Sequence, residues 1–193
     1  MSIELNINST KQEEKISGED PYTGKPVVLI CTGYFFPGYK AGGILRNILN
    51  TVDNLCDEFM FRIITRDRDL GEEHPYAGIK TGEWQPVGNA MVYYLKTESE
   101  TLNYLYKLIR SIEHDVIFLS SYFDPLTIKV LINRRIHLER FKPIIVAPFG
   151  EFAWSSLGQK YLKKYLFILA AKLTGLYDDV VWRVSSEFEA ADV

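Results

Sequence analysis

The feature that most constrains this chain is a buried strand that leads through a glycine-rich loop into a helix. Val27–Cys31 is continuously apolar, as expected for a strand covered on both faces. The loop that follows contains Gly33, Gly38, Gly42 and Gly43, and the apolar spacing becomes helical at Ile44. Glycines allow a ligand to approach the backbone closely, and a helix start offers unpaired N–H groups to an anion. The pattern predicts a nucleotide, phosphate or sugar site at the first strand–helix turn of an α/β domain.

The spacing of these glycines excludes the two best-known phosphate-binding loops. No Gly-Lys-Ser/Thr follows the strand, and the nearest approach to a P-loop is Gly38-Tyr39-Lys40. The dinucleotide fingerprint G-x-G-x-x-G is also absent from the loop. An ordinary βα loop, whose glycines serve only its turns, is the alternative interpretation.

Composition limits the classes of protein that remain. The length of 193 residues and the apolar content of 47% suit one domain with a full core. The net charge of −3, without a basic stripe, argues against a nucleic-acid partner. No apolar run reaches the roughly 20 residues of a membrane span, and the start carries no signal-peptide core. Cys31 and Cys56 suit reduced thiols, so we expect a cytoplasmic protein without a metal site.

Strands and helices alternate after a polar N-terminal arm, residues 1–25. Strands are predicted at 27–32, 59–65, 90–95, 116–120, 144–147 and 180–184. Helices are predicted at 44–55, 98–113, 125–136 and 155–174. This alternation predicts an α/β, Rossmann-like domain over residues 26–193, with a mostly parallel sheet and helices on both faces. Ligands of such sheets bind beyond the carboxyl ends of the strands, here after Thr32, Thr65, Ser120 and Ala147.

The helix predicted over 155–174 is strongly apolar and carries several lysines, Lys160, Lys163, Lys164 and Lys172. A basic amphipathic helix can lie on an anionic membrane, so peripheral membrane contact is one interpretation. Packing against the sheet or against a second domain explains the same pattern. We expect core packing.

An Asp-x-Asp motif follows the second predicted strand as Asp67-Arg68-Asp69. Two carboxylates at this spacing can hold a divalent cation against a sugar diphosphate, because hard cations prefer oxygen ligands. Arg66 and Arg68 alternate with the acids, which favours local ion pairs over an open metal site. We therefore expect a salt-bridged loop here.

Glu151 follows the fifth predicted strand within Pro148-Phe149-Gly150-Glu151. Its carboxylate could accept sugar hydroxyls or act as a base, or it could simply favour a helix start. No serine stands in a G-x-S-x-G elbow, and the three histidines are scattered. Near the C-terminus, Ser186 and Glu189 fit a capping box that starts a helix at Glu187.

Several motifs resemble one family when they are taken together and in order. They are residues 37–43 with Arg46, residues 65–71, then Tyr76, Gly78 and Trp84, residues 147–151, and residues 182–193. This set resembles the N-terminal domain of retaining GT-B glycosyltransferases of family 4, also called group 1. The resemblance extends from Val27 to Val193 and does not include a donor-binding C-terminal domain.

The resemblance implies transfer of a sugar from a nucleotide-sugar donor to a glycan or small acceptor, with retention of configuration. The nucleotide sugar is a substrate, and neither a cofactor nor a metal is needed. Gly42 and Gly43 match the loop that closes over the donor diphosphate, while no catalytic residue is assigned. The acceptor-side candidates are Tyr39, Lys40, Arg46, Asp67, Arg68, Gly150 and Glu151.

The chain departs from the family pattern in two positions of the matched part. Phe149 stands where many relatives carry arginine before Gly-Glu, and Arg183 stands where relatives often have histidine. Without the donor-binding domain, the chain alone is predicted to be inactive, so a C-terminal domain or a partner chain would complete the enzyme. The alternatives are a non-catalytic remnant or interaction subunit that pairs with a donor-domain chain, and a complete small nucleotide-dependent enzyme.

Overall fold

Across residues 24–137, 142–153 and 161–192, which the computed structural model describes, seven strands form one sheet. The strands are β1 (Val27–Cys31), β2 (Met60–Arg66), β3 (Trp84–Val87), β4 (Ala90–Leu95), β5 (Val116–Ser120), β6 (Ile144–Ala147) and β7 (Val181–Trp182). The helices are α1 (Gly42–Leu55), α2 (Leu102–Ser111), α3 (Pro125–Ile136), α4 (Tyr161–Leu173) and α5 (Glu187–Asp192). A 3₁₀ turn, Thr97–Ser99, precedes α2.

The strand order is β3-β4-β2-β1-β5-β6-β7, and every pairing is parallel except that of β3 with β4. In the centre, Cys31 of β1 lies opposite Ile64 of β2 and Leu119 of β5. The chain therefore leaves β1 toward one side of the sheet and returns to its other side at β5. This reversal creates a topological switch point at the carboxyl ends of β1 and β5. The mostly parallel, Rossmann-like α/β fold predicted from the sequence is confirmed.

Apolar residues cover both faces of the sheet and explain why its central strands are uniformly hydrophobic. On one face, α1 buries Leu45, Ile48 and Val52, which recur at helical spacing. On the other face, α2 and α3 pack on the sheet through side chains such as Leu105 and Val130. Burial of such side chains contributes about 1.5–3 kcal/mol each relative to exposure.

Several element bounds agree with the sequence prediction. The predicted bounds of β4, β5, β6 and α3 match the structure. Asp124 caps α3 by accepting a hydrogen bond from the Leu126 amide at 2.7 Å, and Pro125 occupies the first turn. β3 was not predicted, because it is a four-residue edge strand containing Pro86. Most of the N-terminal arm and residues 155–160 of the last long predicted helix lie outside the described residues.

The expectation that the helix around residue 161 packs into the core is wrong for most of its surface. In α4 only Ala171 is buried, while Phe167 and Ile168 pack partly against the core. Its leucines and tyrosines are largely exposed. Apolar composition alone does not reveal how much of a helix a sheet can cover, which explains the error. No helix of the described part of the chain is long and apolar enough to cross a membrane.

Both cysteines are free thiols in different surroundings. Cys31 is fully buried in β1, and burial raises the pKa of its thiol to about 12. Cys56 directly follows α1 and is half-buried, and its carbonyl accepts a hydrogen bond from the Lys25 ammonium at 3.0 Å. Neither thiol belongs to a group of metal-binding side chains among the described residues.

Candidate functional site

The topological switch point is occupied by the chain's own charged side chains. Arg66, at the end of β2, donates from Nε to Glu100 at 2.7 Å and from Nη1 to Asp124 at 3.0 Å. Lys129 of α3 donates to the same Glu100 carboxylate at 3.0 Å. The side chains of Arg66, Glu100 and Asp124 are only 11%, 7% and 11% exposed. We call these four residues the switch-point cluster.

Mutual contacts hold the switch-point cluster in its charged form. Burial opposes the charge of Arg66, but hydrogen bonds to Glu100 and the nearby charge of Asp124 raise the pKa of its guanidinium. Burial likewise opposes the charge of Glu100, yet hydrogen bonds from Arg66 and Lys129 lower the pKa of this carboxyl. Breaking one partner of such a network leaves an uncompensated buried charge, which makes the cluster a strong structural constraint.

The absence of a side chain at Gly33 leaves the space that the switch-point cluster fills. A Cβ at this position would overlap the Asp124 carboxylate and lie 2.7 Å from Arg66 Nη1. The sequence prediction that the loop glycines admit a ligand is therefore wrong for Gly33, because the approaching groups belong to the chain itself. Gly38 is similar, since a Cβ there would overlap the Tyr76 hydroxyl and lie 3.0 Å from Asp69 Oδ1.

The two acids of the Asp-x-Asp motif are satisfied by protein donors. Asp67 is buried, pairs with Arg68 Nε at 2.9 Å, and accepts a hydrogen bond from the Thr97 hydroxyl. The expected ion pair within the loop is confirmed for Arg68. It is wrong for Arg66, whose partners come from distant segments of the chain. Among the described residues no cluster of three or more potential metal ligands occurs.

Asp69 fixes the conformation of the glycine-rich loop. Its Oδ2 accepts hydrogen bonds from the amides of Tyr39 and Lys40 at 2.9 and 3.2 Å, and its Oδ1 accepts one from Leu70 at 2.8 Å. Burial opposes its charge, but these backbone hydrogen bonds lower the pKa of the Asp69 carboxyl. The second acid of the motif is thus an anchor for the loop that carries the candidate residues.

The start of α1 is open to solvent. Gly42 and Gly43 are exposed, and a Cβ built on either glycine meets no described atom within 4 Å. Gly42 has a φ of +55°, which favours glycine, whereas Gly43 does not need that freedom. The helix has no side-chain cap and no acid in its first turn. Arg46 is exposed at the end of this turn, so amide N–H groups and a cation share one accessible surface.

A small cleft lies between the glycine-rich loop and the segment after β2. Its volume is about 260 Å³, and it is lined by Pro37, Tyr39, Lys40, Asp69, Glu72, His74, Pro75 and Tyr76. Lys40 and Glu72 form an ion pair at its rim. The Tyr76 hydroxyl donates to the Phe35 carbonyl at 3.3 Å, and burial raises the pKa of this hydroxyl. The cleft therefore presents charged groups and aromatic surface together.

Glu151 lies at the carboxyl ends of β5 and β6 and is engaged by the chain. It accepts hydrogen bonds from the Ser121 hydroxyl at 2.6 Å and from the Tyr122 amide. Burial raises the pKa of the Glu151 carboxyl, and these hydrogen bonds offset only part of that effect. The residue therefore joins two strand ends, and its partly buried carboxylate is already engaged by donors of the chain.

The segment that follows β7 folds back onto the loop of Gly150. Glu189 accepts hydrogen bonds from the Gly150 amide at 2.6 Å and from the Ser185 amide at 2.7 Å. Burial opposes its charge, but the Ser185 and Gly150 donors lower the pKa of this carboxyl. The predicted cap is confirmed in one half, since Ser186 Oγ accepts from the Glu189 amide at 3.1 Å. The other half is wrong, because the Glu189 carboxylate bonds Ser185 and Gly150.

Phe149 and Arg183, the two positions at which the chain differs from the family that it resembles, contact each other. The Arg183 guanidinium lies 5.7 Å from the ring centre of Phe149 and 5.8 Å from that of Phe118. Its Nη1 also donates to Asn47 of α1 at 2.8 Å. Phe149 and Arg183 thus form one stacked unit that ties β7 to the helix carrying the open glycine pair.

The structure groups the predicted site residues into separate sets along the carboxyl edge of the sheet. Tyr39 and Lys40 line the cleft, Gly42, Gly43 and Arg46 form the open helix start, and Gly150 and Glu151 are bound internally. Asp67 and Arg68 pair with each other. Sequence reasoning missed Glu72 and His74 in the cleft, and Glu100, Asp124 and Lys129 in the switch-point cluster. The Asp124-Pro125 pair, a helix-start signal, could have located one of them.

Comparison with known proteins adds no relative to this picture. The chain matches no protein-family model, and no curated protein matches it.

Proposed function

We propose that this chain forms the acceptor side of a retaining GT-B glycosyltransferase, which moves a sugar from a nucleotide-sugar donor to a glycan or small acceptor. The observation that carries the proposal is the open start of α1, where Gly42, Gly43 and Arg46 closely follow Tyr39 and Lys40, which line the 260 Å³ cleft. The donor is a substrate, and the proposal requires no cofactor or metal. A C-terminal domain or a partner chain supplies the donor-binding half.

The chemistry of the helix start supports a diphosphate as the donor group contacted here. The first-turn amides of α1 lack a capping side chain and an acid. The positive end of a helix dipole and the Arg46 guanidinium both favour an anion at this place. Because nothing in the described structure crowds Gly43, a phosphate can approach its backbone closely.

The chemistry of the cleft supports a hydroxyl-rich acceptor. Lys40 donates hydrogen bonds, Glu72 accepts them, and His74 can do either according to its tautomer. Tyr39 is 77% exposed and offers a ring face to an apolar side of a sugar. Anchoring of the loop by Asp69 keeps these groups in place before a ligand binds.

The switch-point cluster favours half of an enzyme over a complete small nucleotide-dependent enzyme. Open α/β sheets bind nucleotides in the crevice at the switch point. Here Arg66 occupies that crevice and forms ion pairs with both Glu100 and Asp124. A nucleotide would have to break a buried network to enter, so its main contacts must come from another unit.

The mechanism assigned to this chain is therefore binding and orientation. The cleft holds the acceptor, and the first turn of α1 stabilises negative charge on the departing diphosphate. Glu151 positions the β5 and β6 ends through Ser121 and Tyr122. No catalytic residue is assigned, because this chain forms only one side of the proposed active site and does not enclose a reacting sugar.

The first experiment is an NMR titration of the ¹⁵N-labelled chain with uridine diphosphate and, separately, with a disaccharide. We expect the diphosphate to bind with a Kd in the millimolar range and to change the chemical shifts of the Gly42, Gly43 and Ile44 amides. The disaccharide should shift those of Tyr39 and Lys40. Tight diphosphate binding, or shifts centred at the ends of β1 and β5, would contradict the proposal.

Variants of α1 separate ligand contact from folding. Gly43→Val should abolish the diphosphate shifts and leave the free energy of unfolding within about 0.5 kcal/mol, because the new side chain meets open space. Arg46→Ala should weaken diphosphate binding by about three- to tenfold. Lys107→Ala, an exposed cation on α2, is the matched control and should leave binding unchanged.

A transfer assay tests the enzyme class directly. The chain alone is expected to release no nucleotide diphosphate from a panel of nucleotide sugars. Turnover by the purified chain alone would contradict the half-enzyme proposal and favour a complete enzyme.

A further inference from the structure

A surface of α4 is apolar and faces solvent. Its large exposed side chains are Tyr161, Leu162, Tyr165, Leu166, Leu169 and Leu173. Leu162 and Leu173, at opposite ends of the helix, are 68% and 79% exposed. Scattered surface leucines are common in proteins. A set of this size on one helix instead forms an exposed apolar patch, which is typical of a surface that binds another molecule or a membrane.

Helical geometry arranges these residues into a stripe. At about 100° per residue, Leu162, Leu166, Leu169 and Leu173 fall within an arc of about 60°. The side of the helix that contacts the core, marked by Phe167, Ile168 and Ala171, lies opposite this arc. We call the four leucines the leucine stripe. α4 thus packs on the protein by one side and presents its most apolar side outward.

Lysines flank the leucine stripe, and no acid opposes them. Lys163 and Lys172 are exposed on either side of the stripe, while α4 contains no aspartate or glutamate. Lys164 points back and lies 4.9 Å from the ring centre of Phe123. The chain as a whole carries a net charge of −3, so the positive charge of this helix is a local feature.

The described part of α4 bears on how the helix can meet a bilayer. Residues 161–173 span about 20 Å, and no helix in the described residues is long and apolar enough to cross a membrane. A helix with apolar residues on one side and lysines at the borders instead lies in the plane of the interface.

We propose that α4 docks the protein on the surface of an anionic lipid bilayer. The leucine stripe enters the boundary between headgroups and acyl chains. Tyr161 and Tyr165 lie at the level of the headgroups, and Lys163 and Lys172 contact lipid phosphates.

Charge argues against a second copy of this chain as the occupant. A symmetric contact through the leucine stripe would bring the lysines of two α4 helices together without an acid on either helix. Like charges at the rim of an interface disfavour such pairing. An anionic surface satisfies the apolar side and the cationic borders at the same time.

The test is flotation of the full chain with two kinds of vesicle. One is phosphatidylcholine alone, and the other contains about 30% phosphatidylglycerol. We expect at least about tenfold stronger binding to the anionic vesicles, and weaker binding when salt rises from about 0.1 to 0.5 M.

Matched variants identify the surface that binds. Leu166→Ser combined with Leu169→Ser should reduce binding by about tenfold or more, with an unchanged circular dichroism spectrum because both side chains are exposed. Lys163→Glu combined with Lys172→Glu should remove the preference for anionic lipid. Leu70→Ser changes a leucine that is 47% exposed outside α4, and this control should bind like the original chain.

The contrary outcomes are equally definite. Absence of flotation with either vesicle would overturn the proposal. So would a dimer in light scattering that the double serine variant dissociates while vesicle binding is absent, because a second copy would then be the occupant. Equal loss of binding in the Leu70→Ser control would also overturn it.

Discussion

Two parts of one glycine-rich loop, only about ten residues apart, have opposite surroundings. At Gly33 the backbone is pressed against the switch-point cluster, and a Cβ would lie 2.7 Å from Arg66 Nη1. At Gly42 and Gly43 the same construction meets no described atom within 4 Å. From the sequence alone, both positions would be interpreted as places where another group approaches the backbone closely. The contrast shows that the approaching group can belong to the protein or to a ligand, and only the neighbours of each glycine decide which.

The contrast extends to the charges near each glycine. Around Gly33, Arg66 is nearly buried and forms ion pairs with Glu100 and Asp124, which are also nearly buried. Around Gly42 and Gly43, Arg46 is exposed and the Lys40–Glu72 pair is 38% and 47% exposed. The first set stabilises the fold, whereas the second is available to a ligand. Variants of the two sets should therefore separate stability from binding.

The largest expected effect comes from removing the centre of the switch-point cluster. Arg66→Ala leaves Glu100 and Asp124 nearly buried without their main partner, so the free energy of unfolding should fall by about 3–5 kcal/mol. Urea denaturation measures this change. Lys40→Ala, which removes an exposed ion pair, is the control and should not change stability measurably. Equal losses in both variants would remove the distinction between the two regions.

The next effect tests the glycines directly. Gly33→Ala should destabilise the protein by about 1–3 kcal/mol, because the added methyl overlaps the Asp124 carboxylate. Gly43→Ala should be neutral or stabilise the protein by up to about 1 kcal/mol, since alanine is the better helix former. Thermal unfolding of the pair gives the comparison. A stable Gly33→Ala variant would show that the cluster can move aside.

A smaller, local effect is expected from the loop anchor. Asp69→Ala removes the acceptor for the amides of Tyr39, Lys40 and Leu70. Hydrogen exchange at these three amides should accelerate by about tenfold, while exchange in β1 stays unchanged. Asp57→Ala is the control, because it removes an exposed acid that lies at the amino end of β2. It should leave the exchange rates of all these amides unchanged. Unchanged exchange in Asp69→Ala would mean that the loop does not depend on this anchor.

The smallest effect is a pH dependence that belongs to the switch-point cluster. Hydrogen bonds from Arg66 and Lys129 lower the pKa of Glu100 in the folded state. A lowered pKa means that this carboxylate stabilises the fold above its unfolded value of about 4.3, and that the contribution is lost as pH falls through the folded value. The midpoints of thermal unfolding, measured from pH 7 to pH 3, should therefore decline less steeply with falling pH in Glu100→Gln than in the original chain.

The matched variant for the pH experiment lies in the exposed region. Glu72→Gln changes a half-exposed carboxylate, and the decline in its midpoints should parallel that of the original chain. A flatter decline in Glu72→Gln than in Glu100→Gln would assign acid sensitivity to the cleft and contradict the comparison.

Much of the fold could be predicted because its signals are local. Continuous apolar runs mark β1 and β5, and the Asp124-Pro125 pair marks the start of α3. β3 lacked such a signal, since Pro86 and its edge position hide a strand of four residues. In α4 the apolar pattern was visible, but the side that the sheet covers depends on tertiary packing.

The site was harder to predict because its partners are distant in sequence. Arg66 was expected to pair with adjacent acids, yet Glu100 and Asp124 are 34 and 58 positions away. Asp69 was considered as a metal ligand, although it accepts backbone amides 30 positions earlier in the chain. Side-chain type and spacing indicated which residues carry charge, but the topology determined which charges neutralise each other.

The difference between the two cysteines has a practical consequence for the fluorescent labelling of this protein. Cys31 is fully buried, and its raised thiol pKa suppresses the reactive thiolate, so a maleimide dye should attach to Cys56 alone. Cys56 directly follows α1, about 20 Å along the helix from Gly42. A fluorophore placed there is remote from the open glycine pair. The native sequence thus carries one attachment point for optical measurements and needs no engineered cysteine.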